Sequence, residues 1–227
     1  MRRSNPTRAV LTLALAAVLA ACADPAPPPA TVDAPPPPMT TADTAPAADS
    51  ADVHRFRIGS LDAAVLRDGD IRFPNDGKTL GIGAPKAEVD ALLTKAGEPT
   101  DTVHLSVQAL LVRSGDRVLL FDTGAGNADF ADAGRLPASL GAAGVEPTQV
   151  TDIFISHAHP DHVGGLTDGA GQALFANATV HLSAPEWQAL QAESSNAALA
   201  AAISPRVDAF APGVEVVPGV TAVAVEG

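Results

Sequence analysis

The sequence predicts an α+β domain in which helices flank a mixed β-sheet. Short alternating runs separated by turn residues fill the first half of the chain and indicate antiparallel hairpins. Strand and helix patterns alternate in the second half, and the apolar run Ile153–Ile155 leads into a histidine-rich loop. A length of 227 residues fits one domain. The formal charge of −12 argues against a nucleic-acid partner.

The first predicted elements are strands. Residues 53–67 alternate well enough for two short strands, broken near Gly59–Ser60. Asp68–Gly69 is typical of a hairpin turn, so the return strand is expected to start at Ile71–Phe73. A second hairpin is predicted from Val103–Val112 and Arg117–Asp122.

Helices and strands then alternate. Helices are predicted at Pro85–Lys95, followed by Gly97, at Leu136–Ala143, ended by Gly144, and from a capping box at Ser183 to Ser194. Further strands are predicted at Asp152–Ser156, Ala178–Leu182, Val214–Val217 and Thr221–Val225.

The segment 157–162 carries the most specific chemical signal. It holds three of the six histidines of the chain, with Asp161 among them. Such a cluster is costly out of water unless something binds it. Its spacing suits a strand end, where His157 and His159 point the same way and Asp161 and His162 follow a bend. The pattern therefore predicts a metal site, for which Zn²⁺ is well suited and Fe or Mn is not excluded. The alternative is a histidine-rich loop without metal.

The residues around this segment resemble a known family. H-A-H-P-D-H-V-G-G at 157–165 resembles the H-x-H-x-D-H metal motif of the metallo-β-lactamase superfamily. Leu119–Gly124 resembles its first motif, a strand that ends in D-T-G, and Phe175–Val180 also matches. The resemblance covers roughly Val53 to Gly227 and is greatest to methyl parathion hydrolase and related lactone hydrolases.

The resemblance implies an αββα sandwich and a site for two zinc ions. His157 and His159 would bind one ion, and Asp161 and His162 would bind the other. Asp161 would also act catalytically by orienting the nucleophile, and Asp122 would have a structural role near the metals. The implied function is hydrolysis of a small-molecule ester, lactone or phosphotriester by a metal-bound hydroxide.

The chain departs from the family pattern at its end. The family has three more ligands after the strand that Val220–Gly227 resembles, so the chain is expected to be C-terminally truncated and to form only the N-terminal part of the sandwich. The alternative function is therefore an inactive envelope lipoprotein that retains the metal motif. His181 is a possible replacement ligand, but it is more typical of an ordinary strand residue.

The N-terminus predicts export. Residues 1–21 are typical of a lipoprotein signal peptide, and Leu19–Cys22 resembles a lipoprotein cleavage box. Lipid attachment is therefore expected at Cys22, with the protein on a bacterial cell-envelope membrane; an ordinary signal peptide is the alternative. Residues 22–50 form a Pro/Ala-rich linker before the domain at 51–227.

Other chemistries have little support. The glycines of 124–126 lack the G-K-[ST] of a phosphate-binding loop, and Ser156 and Ser183 lack a nucleophile elbow. Trp187 could line a substrate pocket, although its helical spacing with Leu190 favours a core position.

Overall fold

The computed structural model describes residues 50–225, which belong to one structural unit. The predicted signal peptide, Cys22 and nearly all of the linker lie outside the described residues. Within residues 50–225, none of the helices combines the length and the apolar character needed to span a bilayer.

The first half of the domain forms antiparallel strands. They are β1 (Val53–Ile58), β2 (Leu61–Pro74), β3 (Thr102–Ser114) and β4 (Arg117–Phe121). Each pairs with the next along the chain, as expected for hairpins. The predicted break between the first two strands is confirmed, because Gly59 turns there with φ 62°.

The second half contains six further strands, three of which continue the same sheet in parallel. The strands are β5 (Ala131–Asp132), β6 (Asp152–Ile155), β7 (Thr179–Ser183), β8 (Val207–Phe210), β9 (Glu215–Val217) and β10 (Val220–Thr221). The order in the main sheet is β1-β2-β3-β4-β6-β7-β8, with β5 paired to β2. Strands β9 and β10 form a separate two-stranded sheet.

Five α-helices accompany the strands in the described part of the chain. They are α1 (Lys86–Ala96), α2 (Leu136–Ala142), α3 (Pro160–Val163), α4 (Ala184–Ala192) and α5 (Ala197–Ile203). Gly97 ends α1 with φ 81°, as its position predicts. A mixed sheet with flanking helices confirms the predicted α+β class.

The main core lies on one face of the sheet. Leu66, Leu120, Ile153 and Leu182 come from four different strands and are almost fully buried. The buried α-helical residues of this core are Leu136 and Leu140 of α2, Val163 of α3, Leu190 of α4 and Ile203 of α5. Burial of each such side chain contributes about 1.5–3 kcal/mol, so this layer fixes the helices against the strands that carry the motif.

A smaller cluster occupies the opposite face. It contains Val112, Leu119 and Phe154 from the sheet and Val217 from β9. The rings of Phe121, Phe154 and His181 stack in a row on this side, with centroid separations of 4.9 and 4.8 Å.

The prediction of a turn at Asp68–Gly69 is wrong. Strand β2 runs through both residues for 14 residues, and its register with β3 shifts between Arg67 and Gly69, as in a bulge. The carboxylate of Asp68 is fully buried and accepts backbone hydrogen bonds from a distant loop. A dipeptide that favours a turn was therefore overridden by a tertiary contact.

Other boundaries also differ from the predictions. The expected final strand Thr221–Val225 is reduced to the two residues of β10. Helix α5 and strand β8 were not predicted, because an alanine-rich stretch has no apolar periodicity and Val207–Phe210 is short.

Candidate metal centre

The histidine segment follows β6, where the neighbouring strand β4 also ends. The two strands are parallel, with Phe121 opposite Phe154, so Asp122 and Ser156 meet at the same edge of the sheet. Because functional groups collect at the carboxyl ends of parallel strands, this edge brings the D-T-G residues against the histidine loop.

His157 and His159 form one donor pair. Nε2 of His157 lies 3.1 Å from Nδ1 of His159, and the rings meet edge to face with centroids 4.6 Å apart. Two nitrogens bound to one tetrahedral zinc ion, at about 2.05 Å each, would lie about 3.3 Å apart. The separation of the two nitrogens therefore fits shared coordination of one ion.

Asp161 and His162 form a second donor pair. Nε2 of His162 lies 3.6 Å from Oδ2 of Asp161, and both side chains are partly exposed at the turn of α3. The ring of His162 also lies beside that of His157, with centroids 4.0 Å apart. Among residues 50–225, no group of three or more His, Cys, Asp or Glu side chains is arranged to hold one ion. The donors thus come in two adjacent pairs.

Asp122 connects the end of β4 to this loop. One carboxylate oxygen accepts the Ser156 backbone N–H at 2.8 Å, and the other lies 2.8 Å from Nδ1 of His162. The second oxygen also accepts the Ser156 hydroxyl at 2.9 Å. Asp122 is the one non-glycine residue with positive φ in the described chain, at 59°. That conformation is unfavourable for an L-residue, so the surrounding contacts must hold it.

The pKa values of His162 and His157 shift in opposite directions. The hydrogen bond to Asp122 and the charge of that carboxylate raise the pKa of His162 above its ordinary value. Burial lowers the pKa of His157, and the positive charges of His162 and His159 lower it further. A neutral His157 ring keeps a nitrogen lone pair available, which metal coordination requires.

The backbone between the two histidines of the first pair has its own support. The carboxylate of Glu186, in the first turn of α4, accepts the Ala158 N–H at 2.8 Å. The sequence predicted Glu186 only as part of a capping box at Ser183. The Ser183 side chain does accept the Glu186 N–H at 3.4 Å, as in a capping box. The Glu186 carboxylate, however, bonds to the backbone of Ala158. An acidic residue in the first turn of a helix fits a capping box as well as a contact with another loop. The sequence therefore did not indicate that the Glu186 carboxylate binds the Ala158 N–H.

The backbone of the second pair is held by the D-T-G loop. The carbonyl of His162 accepts hydrogen bonds from both the N–H and the hydroxyl of Thr123, at 2.9 and 2.8 Å. A side chain at Gly164 would collide with the Ala125 carbonyl, and one at Gly165 with the Thr123 carbonyl. The two glycines therefore allow the loops to approach closely.

Several residues considered from the sequence lie away from this centre. His181 is buried in β7, where its Nε2 lies 2.9 Å from Asp152 and its Nδ1 lies 3.2 Å from Asp208. It is thus a hydrogen-bonded strand residue. Burial opposes ionisation of Asp152, but Thr151, His181 and Arg117 outweigh it and lower its pKa. Trp187 packs against the main core.

A cavity of about 290 Å³ lies next to Pro160 and Val163 of α3. Its lining includes Ala125, Asn127, Pro160, Val163, Thr167 and Leu199. None of the four predicted metal ligands lines it, so this cavity is not where a substrate would meet the donor pairs.

Comparisons with solved structures agree with this architecture. The chain is similar to AidC, described as a dizinc quorum-quenching lactonase in complex with the product N-hexanoyl-L-homoserine, with 27% identity, a TM-score of 0.64 and coverage of 72% of this chain and 63% of that one. It is also similar to AbOPH, a hydrolase in the beta lactamase superfamily, with 27% identity, a TM-score of 0.62 and coverage of 74% and 64%. A probable metal-dependent hydrolase from Staphylococcus aureus matches with 25% identity, a TM-score of 0.60 and coverage of 72% and 64%.

The chain therefore spans slightly less than two thirds of these structures. No curated protein sequence matches it significantly. The sequence profile described as the metallo-beta-lactamase superfamily matches residues 102–226, which is more than half of the chain. The matched segment contains both the D-T-G loop and the histidine segment, and the fold has the mixed sheet and flanking helices expected of it. This chain belongs to the metallo-beta-lactamase superfamily.

Proposed function

We propose that the protein is a metal-dependent hydrolase that acts on a small-molecule ester, lactone or phosphotriester. The observation that carries the proposal is the arrangement of donors in two adjacent pairs within residues 157–162. Nε2 of His157 and Nδ1 of His159 are 3.1 Å apart, and His162 and Asp161 present the second pair beside them. The pairing suits two zinc ions, and similarity to a dizinc lactonase supports that choice.

When bound, such ions lower the pKa of water and polarise the oxygen of the substrate. The residues of the chain itself orient the His162 ring and the attacking water. Asp122 accepts a hydrogen bond from Nδ1–H of His162, so in the neutral ring it is Nε2, 3.6 Å from Asp161, that is unprotonated. The Asp161 carboxylate is partly exposed, so it can accept a hydrogen bond from an attacking water and align it.

The preference for a neutral substrate follows from charge and from similarity. A formal charge of −12 disfavours binding of polyanions. AidC is described as a lactonase and AbOPH as a hydrolase, which supports a lactone or another activated ester as the class to test first. Placement nearest the methyl parathion hydrolase and lactonase group is part of this proposal.

Metal analysis and a substrate panel test the proposal together. We expect about two equivalents of transition metal per full chain after purification without chelator. Hydrolysis of an aryl ester, an N-acyl homoserine lactone and a phosphotriester would be compared with that of a β-lactam. Asp161→Asn should abolish turnover, and Asp116→Asn, at an exposed hairpin turn, is the matched control. Absence of metal, or turnover of the β-lactam alone, would contradict the proposal; metal without any turnover would favour the inactive lipoprotein.

A further inference from the structure

A buried carboxylate outside the metal motif is tied to the metal centre through the backbone. Asp68 of β2 is fully buried. One of its oxygens accepts the N–H groups of Ala125 and Gly126 at 2.8 and 3.1 Å. The other accepts those of Gly134 and Leu136 at 3.1 and 2.9 Å. The single side chain therefore joins the start and the end of the segment 125–136.

Those partners are all main-chain amides of that segment. Burial of a carboxylate costs several kcal/mol unless its oxygens are fully hydrogen-bonded, and an apolar side chain would fill the same space at lower cost. Four amides directed at two oxygens instead define where the segment lies and how it is oriented. This makes Asp68 well suited to fixing geometry, in addition to any contribution to stability.

The D-T-G loop is in direct contact with this carboxylate. Gly124, the glycine of the motif, has φ 76°, and a side chain there would collide with the Asp68 carboxyl group. The backbone conformation and the close approach both require glycine at this position. The close approach of Asp68, which lies 56 positions earlier in the sequence (124 − 68), is therefore part of the reason that position 124 requires glycine.

The D-T-G loop contacts His162 both at its backbone carbonyl and at its ring. Thr123 donates two hydrogen bonds to the His162 carbonyl, and Gly165 donates one to the Gly124 carbonyl at 3.3 Å. Asp122, at the start of the loop, meets Nδ1 of His162 at 2.8 Å. A shift of residues 123–126 would move both the backbone of His162 and the carboxylate that selects its tautomer.

We propose that Asp68 is a positioning residue of the metal centre, which fixes the D-T-G loop and thereby the orientation and tautomer of His162. The Asp68 carboxylate hydrogen-bonds to backbone amides and to none of the four predicted metal ligands. Its significance for catalysis rests on the proposed function, but its effect on His162 does not.

The test compares Asp68→Asn with Asp70→Asn in the full chain. An amide at 68 keeps the shape but turns an NH₂ group toward two backbone N–H donors. Asp70 is a matched control on the same strand, because it is also buried but its partners are the side chains of Arg67, His104 and Arg135. The ring nitrogens of His162 would be observed by ¹⁵N NMR in metal-free protein at pH 8, together with thermal unfolding.

We expect wild-type His162 to carry its proton on Nδ1, and Asp68→Asn to shift the ring toward the other tautomer. Asp70→Asn should leave the His162 signals unchanged while it also lowers the unfolding temperature. In Co²⁺ titrations, Asp68→Asn should weaken binding at the Asp161–His162 pair by about tenfold or more and change the cobalt absorption spectrum. An unchanged His162 tautomer in Asp68→Asn, or the same change in both variants, would overturn the proposal.

A measurement on the wild-type protein covers the case in which Asp68→Asn does not fold. The amides of Ala125, Gly126, Gly134 and Leu136 should exchange with solvent slowly, as a group, because all four donate to Asp68. Exchange of these amides at the rate of the exposed Asn127 amide would overturn the inference. If wild-type protein binds no Co²⁺, the proposed function fails while the NMR and exchange results still decide the role of Asp68.

Discussion

Asp122 and His162 are joined by a 2.8 Å contact between a carboxylate oxygen and Nδ1. The contact spans 40 residues of sequence and links the end of β4 to α3. It raises the pKa of His162 and leaves Nε2 facing Asp161. A carboxylate behind a ligating histidine is a common means of fixing the ring of a metal ligand.

Replacement of Asp122 by Asn should weaken metal binding. The amide cannot accept from both Ser156 and His162 as the carboxylate does, so His162 loses its preferred tautomer. We expect a 10–100-fold loss of zinc affinity at the Asp161–His162 pair, measured by competition with a chromophoric chelator. Asp116→Asn, at an exposed turn, should leave affinity unchanged. Equal affinities in the two variants would contradict the supporting role of Asp122.

Replacement of Glu186 by Ala should affect the other donor pair. Without its carboxylate, the Ala158 N–H loses its partner and the backbone between His157 and His159 is free to rotate. Affinity at that pair should fall by roughly tenfold. Glu193→Ala removes an exposed acid just after the same helix and serves as the control. A loss of similar size in the control would attribute the effect to net charge alone.

Replacement of Gly164 by Ala should separate the two loops. The new methyl group would meet the Ala125 carbonyl, and neither partner is a flexible side chain. We expect the free energy of unfolding to fall by about 1–3 kcal/mol in urea titrations. Gly141→Ala is the opposite case, because it lies in α2 with open space around it and should be neutral or stabilising by up to ~1 kcal/mol. A neutral Gly164→Ala would show that the loops are not in close contact.

Acid should weaken the protein through Asp70. Its hydrogen bonds with Arg67 and, secondarily, His104 outweigh burial and lower its pKa from 3.8 to about 2. Because the folded-state pKa is depressed, the stabilisation is complete above pH 3.8 and is lost as the pH falls through about 2. The contribution is on the order of 1–2 kcal/mol. Urea midpoints between pH 5 and pH 2 should therefore fall less steeply for Asp70→Asn than for wild type; parallel curves would contradict this assignment.

We also propose that Cys22 carries a lipid and holds the protein at a cell-envelope membrane. Its motivation is the Leu19–Cys22 box after an apolar segment. Cys22→Ser should move the protein from the membrane fraction to the soluble fraction or leave it unprocessed. Thr31→Ala, in the linker, is the control. Unchanged membrane association of Cys22→Ser would exclude a lipid anchor at this position.

The sequence by itself determined the family, the fold class and the position of the donor loop. These follow from local signals: the spacing within 157–162, the D-T-G that ends a strand, and apolar runs whose period matches the secondary structure.

Only the tertiary structure decided which groups support the donors. Asp68 belongs to a dipeptide that locally favours a turn, yet it lies in an extended strand. Its carboxylate accepts hydrogen bonds from four backbone amides of a loop more than 50 residues away. Glu186 belongs to a capping pattern, yet its carboxylate binds the backbone of Ala158. A carboxylate bonds whichever unsatisfied N–H groups the fold brings near it, and the sequence records its charge but not its neighbours. The pairing of Asp122 with His162 likewise depends on β4 and β6 lying side by side in parallel, which is a property of the assembled sheet.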